Sequence, residues 1–225
     1  KIPQVIINNK GLVTGLVEQD IPVASDTLTG VVSSTDYTEF KNKLNKVEDD
    51  YLIAKAMQAA VTVVQNKHNI LPLSKEPTYG YLKLGDDTGS TFKSSLMHKL
   101  KIHTVDASLP NDKIIQALAS YKKVIIGFHR SNASPWKASS FSKKERQLLT
   151  ALTKDHSIIL DVFVKPYALS SLGNLDAIDG LVVSYQNSSI AQKASAEILL
   201  GERKASGRLP VSIAPPYPVG TGITL

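Results

Sequence analysis

Cysteine is absent from the 225 residues, which excludes disulfides, thiol nucleophiles and thiolate metal sites. Aromatic residues make up only 6%, with a single Trp, so an aromatic-rich groove for bases is not on offer. No stretch approaches the roughly 18 to 20 consecutive apolar residues of a membrane helix, so none of the chain reads as a membrane span. Internal repeats are missing, and the only biased segment is one serine-rich loop. Acidic side chains are missing between Gly127 and Lys144. That local absence proves more informative than the global ones.

What is present reads as globular. Apolar residues at 42% and charged residues at 20% supply one sizeable core. The length is long for one α/β domain and short for two, so one domain plus an extra segment is expected. The net charge of +6 comes mostly from scattered lysines, without an arginine cluster. It reads as a lysine-rich surface and not as a nucleic-acid groove. The chain starts at Lys1 with neither an initiator Met nor a signal-peptide pattern, and reads as a piece of something larger. Its compartment is therefore not legible, with a periplasmic or secreted full-length protein the favoured reading.

The first 45 residues alternate short β-branched runs, such as Val5-Ile6-Ile7 and Gly30-Val31-Val32, with turn-prone residues such as Asn8-Asn9. They predict an extended segment. Apolar residues at Tyr51, Ala54, Met57, Val61 and Val64 then follow helical steps, with Glu48, Asp49 and Asp50 in the first turn, predicting one helix over 47–65. Beyond it, strand-like runs at 79–84, 102–105, 124–128, 158–164 and 181–184 alternate with helical patterns near 91–100, 112–120, 143–153, 167–172 and 190–200. Ser142-x-x-Glu145 is a capping box opening the helix whose buried face is Leu148, Leu149 and Leu152. Continuous apolar strands such as Val124-Ile125-Ile126 suit burial on both faces, and the alternation implies a parallel, doubly wound sheet.

Chemistry in such folds gathers beyond the carboxyl ends of the strands. Three loops lie there: Gly85-Asp86-Asp87-Thr88-Gly89-Ser90, His129 to Trp136, and Lys165-Pro166-Tyr167. The first has glycines before a helix, but no nucleotide motif, and its aspartates repel phosphate. Gly201 to Arg208 has the wrong spacing for a nucleotide loop. Asp86-Asp87 with Lys165 is similar to the acid pair and lysine of a response-regulator receiver. The acceptor aspartate that should end the third strand is replaced by Gly127-Phe128-His129, which argues against that reading. The five histidines form no metal-ligand pair, and four of them read as surface or capping residues. His129, at a strand end in a candidate cleft, is the exception. No G-x-S-x-G elbow exists for a serine hydrolase. Asn132-Ala133-Ser134 and Asn187-Ser188-Ser189 match glycosylation acceptors, short patterns that recur by chance. The second loop combines imidazole, guanidinium, amide, hydroxyls and the Trp, a mix suited to sugars. A solvated loop with the Trp packed over its base is the alternative. Without a carboxylate, the loop supplies no glycosidase acid.

Several segments together resemble one family. Val61-Thr62-Val63-Val64-Gln65-Asn66 with Ile70-Leu71-Pro72-Leu73 resembles the opening of the C-terminal domain of glycoside hydrolase family 3. Val124 through Lys137 is similar to its third strand and loop in the β-N-acetylhexosaminidase branch. Tyr185-Gln186-Asn187, Ala191 to Gly201 and Gly207-Arg208-Leu209-Pro210-Val211-Ser212 follow its closing helix and strand. Tyr217 to Ile223 resembles the ending of bacterial members. The resemblance covers about 51–223.

It implies a flavodoxin-like α/β domain over 46–225, a mostly parallel sheet of about five to six strands flanked by helices, preceded by an interdomain segment over 1–45. It also implies an N-terminal (β/α)8 barrel of the same protein as partner, bearing the aspartate nucleophile. In the glucosidase branch this second domain lends a glutamate acid/base. In the hexosaminidase branch a histidine–aspartate pair on the barrel replaces it, in keeping with the acid-free stretch here. The expectation is a retaining β-N-acetylglucosaminidase whose catalytic residues lie outside this chain, with no cofactor and no metal. His129, Arg130, Ser131, Asn132, Ser134 and Trp136 are the candidate carbohydrate-binding residues, and the chain alone is expected to hydrolyse nothing. A stand-alone sugar-binding or scaffold module is the other reading. Residues 1–45 depart from the family, lacking a barrel's K-H-F-P-G-H-type motif.

Overall fold

The computed structural model describes residues 2–19, 33, 35–36, 38–39, 47–134, 136–213 and 217–225. It divides into two units, Lys1–Tyr51 and Leu52–Leu225. In the first, β1 (Ile2–Ile7) pairs antiparallel with β2 (Val13–Gln19), with Val5 opposite Leu16. The turn is held by Asn8, whose side-chain oxygen accepts from the amides of Lys10 and Leu12. The Gly30-Val31-Val32 run lies outside the described residues.

Helix α1 (Val47–Ala60) stops at Ala60, not at Gln65 as its spacing predicts. Thr62–Asn66 is instead strand β3. The physical reason is the run Val61-Thr62-Val63-Val64, four β-branched residues that restrict χ1 in a helix and fit a pleated surface. All four are buried, and successive valines serve opposite cores, Val63 one and Val64 the other. A helix would bury one stripe of this segment, whereas a strand buries both faces.

The remaining elements are β4 (Tyr79–Leu84), α2 (Ser90–Met97), β5 (Ile102–Val105), α3 (Asn111–Leu118), β6 (Lys123–His129), α4 (Lys143–Leu152), β7 (Ser157–Phe163), β8 (Gly180–Val183) and α5 (Ser189–Leu199). The stretch near 167–172 is a 3-10 turn, Pro166–Ser171. Six strands lie in the order β3-β8-β7-β6-β4-β5. β5, β4, β6, β7 and β8 are parallel, and β3 runs antiparallel against β8. This is a flavodoxin-like α/β fold, with an added antiparallel edge strand.

Side-chain alternation divides the interior in two. Leu82, Ile126, Leu160 and Val183 face one core together with Ile114 and Leu118 of α3 and Leu148, Leu149 and Leu152 of α4. Tyr81, Ile125, Ile159 and Val182 face the other with Phe92 and Leu96 of α2 and Ala194, Ile198 and Leu199 of α5. Each fully buried Leu or Ile contributes about 1.5–3 kcal/mol. Chain order reverses between β4 and β6: β4 departs through α2 on one face and β6 through α4 on the other. That switch point is where open α/β sheets leave a crevice beyond their strand ends.

Candidate functional site

Charged side chains from different elements meet at the switch point. Arg130, just beyond β6, donates from Nη2 to Glu145 Oε2 at 2.9 Å and to the carbonyl of Ser140 at 3.1 Å. Its Nη1 lies 3.7 Å from Asp86, and its guanidinium sits 4.9 Å over the ring of Phe128. Glu145 is the hub. As the capping-box residue of α4 it accepts from the amide of Ser142 at 2.7 Å, and its other oxygen accepts from the amide of Gly85 at 3.0 Å. Asp86 in turn accepts from the amide of Ser131 at 3.3 Å. One ion cluster therefore ties the loop after β4 to the loop after β6. Gly85 permits the close approach, since its φ is +89° and a Cβ there would collide with the His129 carbonyl.

His129 points inward. Its ring is buried, stacks on Phe163 with centroids 4.4 Å apart, and occupies space that a Cβ on Gly89 or Gly127 would fill. The proton on the ring can be placed from a chain of bonds anchored on the backbone. The amide of Phe92 donates to Gln192 Oε1 at 3.0 Å, so Gln192 Nε2 is the donor to Asn187 Oδ1 at 2.7 Å. Asn187 Nδ2 donates to the carbonyl of Thr88 at 2.9 Å. Asn187 Oδ1 thus accepts, and His129 Nδ1, 2.8 Å away, carries the hydrogen. Nε2 is left a buried acceptor without a partner among the described residues. Burial pushes the imidazole down to about 4, against the smaller opposing effect of the Asn187 bond, so His129 is neutral at physiological pH.

Beside His129 on the same face lies Asp161 of β7, directly paired with Gly127 in the ladder. Its carboxyl meets Ser184 Oγ at 2.8 Å and also Ser195 Oγ. Burial raises it to about 7 despite both hydroxyls. Tyr81 is also buried, with a hydroxyl that has no partner among the described residues and is driven upward by burial and by the Asp161 charge. His156, read as a surface or capping residue, is instead buried at the end of α4, its Nδ1 2.7 Å from the carbonyl of Tyr121.

Outside the ion cluster is a cavity of about 220 Å³, lined by Arg130, Ser131, Asn132, Ser134, Lys137, Ala138, Ser139, Val164 and Lys165. No carboxylate is among these described residues. The structure thus brings Arg130, Ser131, Asn132 and Ser134 to one cavity, while His129 lies behind them. Trp136 is 91% exposed and does not pack over the base of its loop. Its amide donates to Ser134 Oγ at 3.3 Å. Sequence reasoning missed Glu145 as a brace, because its capping role already explained it. It also missed the bonds that join Asn187 and Gln192 to His129, since neither the glycosylation pattern at Asn187 nor an amide near the start of a helix signals a partner on another strand. Among the described residues no cluster of His, Asp and Glu could hold a metal, and no helix is long and apolar enough to cross a membrane.

No family model matches the sequence, and no curated protein matches it. Solved structures do. A β-glucosidase from Listeria innocua in complex with isofagomine superposes with a TM-score of 0.61 at 14% identity, over 76% of this chain and 28% of that one. A glycoside hydrolase family 3 β-N-acetylglucosaminidase from Paenibacillus sp. str. FPU-7 gives 0.56 at 17% identity, over 89% and 36%. A fungal multi-domain family 3 β-N-acetylglucosaminidase gives 0.56 at 19% identity, over 78% and 20%. The chain therefore has the fold of a part of these glycosidases, and spans little more than a third of their length at most.

Proposed function

We propose that this chain is the C-terminal α/β domain of a retaining family 3 glycosidase that removes terminal β-N-acetylglucosaminyl residues. The nucleophile and the acid/base pair reside on a (β/α)8 barrel outside the chain, and hydrolysis passes through a covalent glycosyl-enzyme. The domain forms one wall of the cleft through the loop following β6. Ser131, Asn132 and Ser134 offer hydroxyl and amide contacts, and Trp136 offers a ring face. Arg130 and His129 act by positioning, one through the Glu145 brace and the other by anchoring the strand end.

The observation that carries the reading is the cavity at the carboxyl ends of β6 and β7, rich in hydroxyls and lacking a carboxylate in its described lining. The acids that reach this loop are already engaged: Glu145 serves Arg130, Ser142 and Gly85, and Asp86 accepts from the amide of Ser131 and faces Arg130. A domain lending an acid/base from this position would need a free one. The exposed Trp136 beside the cavity also supports a sugar-binding module that works without a barrel.

Hydrolysis of 4-nitrophenyl N-acetyl-β-glucosaminide by the pure chain, with the β-glucoside alongside, tests the reading. No turnover of either is expected. Stoichiometric or better release of nitrophenol would overturn it.

A further inference from the structure

Lys165-Pro166-Tyr167, one of the three loops beyond the strand ends, supplies none of the candidate carbohydrate-binding residues read from the sequence, yet the structure brings its first residue to their cavity. Lys165 lines the same cavity as Ser131 and Ser134. We propose that this turn is the second wall of the site, with Tyr167 lying against a saccharide ring and Lys165 donating to its oxygens. The inference rests on the sugar-site reading above and extends it to residues on a different strand.

Three observations carry it. The turn is rigid: Ala168 donates its amide to the carbonyl of Lys165 at 3.0 Å, and Ser171 Oγ accepts from the amide of Phe141 at 3.2 Å. That second bond stitches the turn to the far end of the loop that bears Trp136. Next, Pro166, Ala168 and Leu169 are all buried, while Tyr167 between them is 57% exposed. A turn that commits its other apolar side chains to the core holds this ring out from a fixed backbone. Finally, the chemistry between the loops is acceptor-seeking. The Arg130 charge is met by Glu145 and Asp86, and Lys165 lines the cavity together with Ser131, Ser134 and Ser139. Aromatic rings with a polar tip, on rigid supports beside a few convergent polar groups, suit the apolar C–H face and polar rim of a pyranose.

The single Trp makes the test direct. The 225-residue chain is titrated with N,N′-diacetylchitobiose while Trp136 fluorescence is followed. Saturable quenching is expected. Tyr167→Ala should weaken the apparent Kd about five- to tenfold, Tyr167→Phe should restore it because the ring face is what binds, and Lys165→Ala should weaken it about threefold. Circular dichroism confirms that each variant is folded. Wild-type binding that Tyr167→Ala leaves unchanged overturns this inference alone. Failure of the wild-type chain to respond at all overturns the sugar-site reading, and this inference with it.

Discussion

The two faces of the central sheet are built on opposite terms. Toward α3 and α4 the strands present Leu82, Ile126, Phe128, Leu160 and Val183, and stability there is a matter of apolar area and close packing. Toward α2 and α5 the same strands interrupt the apolar rows with Tyr81, His129 and Asp161, all buried. Polar groups there are tolerated because neighbouring residues were shaped around them, with glycines making room for the imidazole and serines meeting the carboxyl. One face is robust and uninformative. The other is specific, and it lies directly behind the loops that form the candidate site.

The largest expected effect falls on the apolar face. Phe128→Ala should cost about 3–5 kcal/mol, because it empties a buried site whose ring stacks on Phe141 at 3.6 Å. Urea denaturation would measure it. A loss below 1 kcal/mol would show that this face repacks freely and that the contrast is wrong.

The polar face should declare itself through pH. The folded state keeps His129 neutral down to about 4, while an unfolded histidine takes its proton near 6.5. Its contribution is therefore fully present above about 6.5 and lost as pH falls toward 4. Asp161 is the reverse. It stays protonated in the fold up to about 7 and ionises near 3.9 when unfolded, so its contribution is present below that and lost as pH rises toward 7. Over one window the two slopes oppose each other. Asp161→Asn should thus make stability climb with pH from 4 to 6.5, relative to wild type, by about 3 kcal/mol, and His129→Gln should make it fall by a similar amount. Parallel pH profiles for wild type and both variants would refute the assignment.

A smaller effect tests the fit between ring and glycine. Gly127→Ala should cost about 1–3 kcal/mol by overpacking against the imidazole, and His129→Ala should relieve much of that penalty. Additivity in the double variant would mean that the two sites do not share the space. The smallest effect belongs to neither face. Lys101→Ala removes an ion pair with Glu76 whose partners are 69% and 68% exposed, and should change stability by less than about 0.5 kcal/mol.

Much of the fold was legible because its signals are local. Continuous apolar runs such as Val124-Ile125-Ile126 and Ile158-Ile159-Leu160 mark strands, and Ser142 and Glu145 mark a helix start. The exception is instructive: the spacing of Ala54, Met57, Val61 and Val64 continues a helical period into what is strand, and side-chain branching, not period, decided the outcome. The site was legible as a loop but not as an arrangement. Arg130 meets Glu145 and Asp86 from different elements, and His129 turns away from the cavity into space left by Gly89 and Gly127. Pairings across the sheet leave no periodic trace in the chain. The exposure of Trp136 is likewise invisible to composition.

The bridge between Val63 and Ile223 has an architectural consequence. The amide of Ile223 donates to the carbonyl of Val63 at 2.8 Å, so the chain enters the sheet and leaves it side by side at the same edge. A unit whose ends meet in this way can be carried as a cassette: it can be appended to another domain, or set within a longer polypeptide, without stretching either neighbour's backbone.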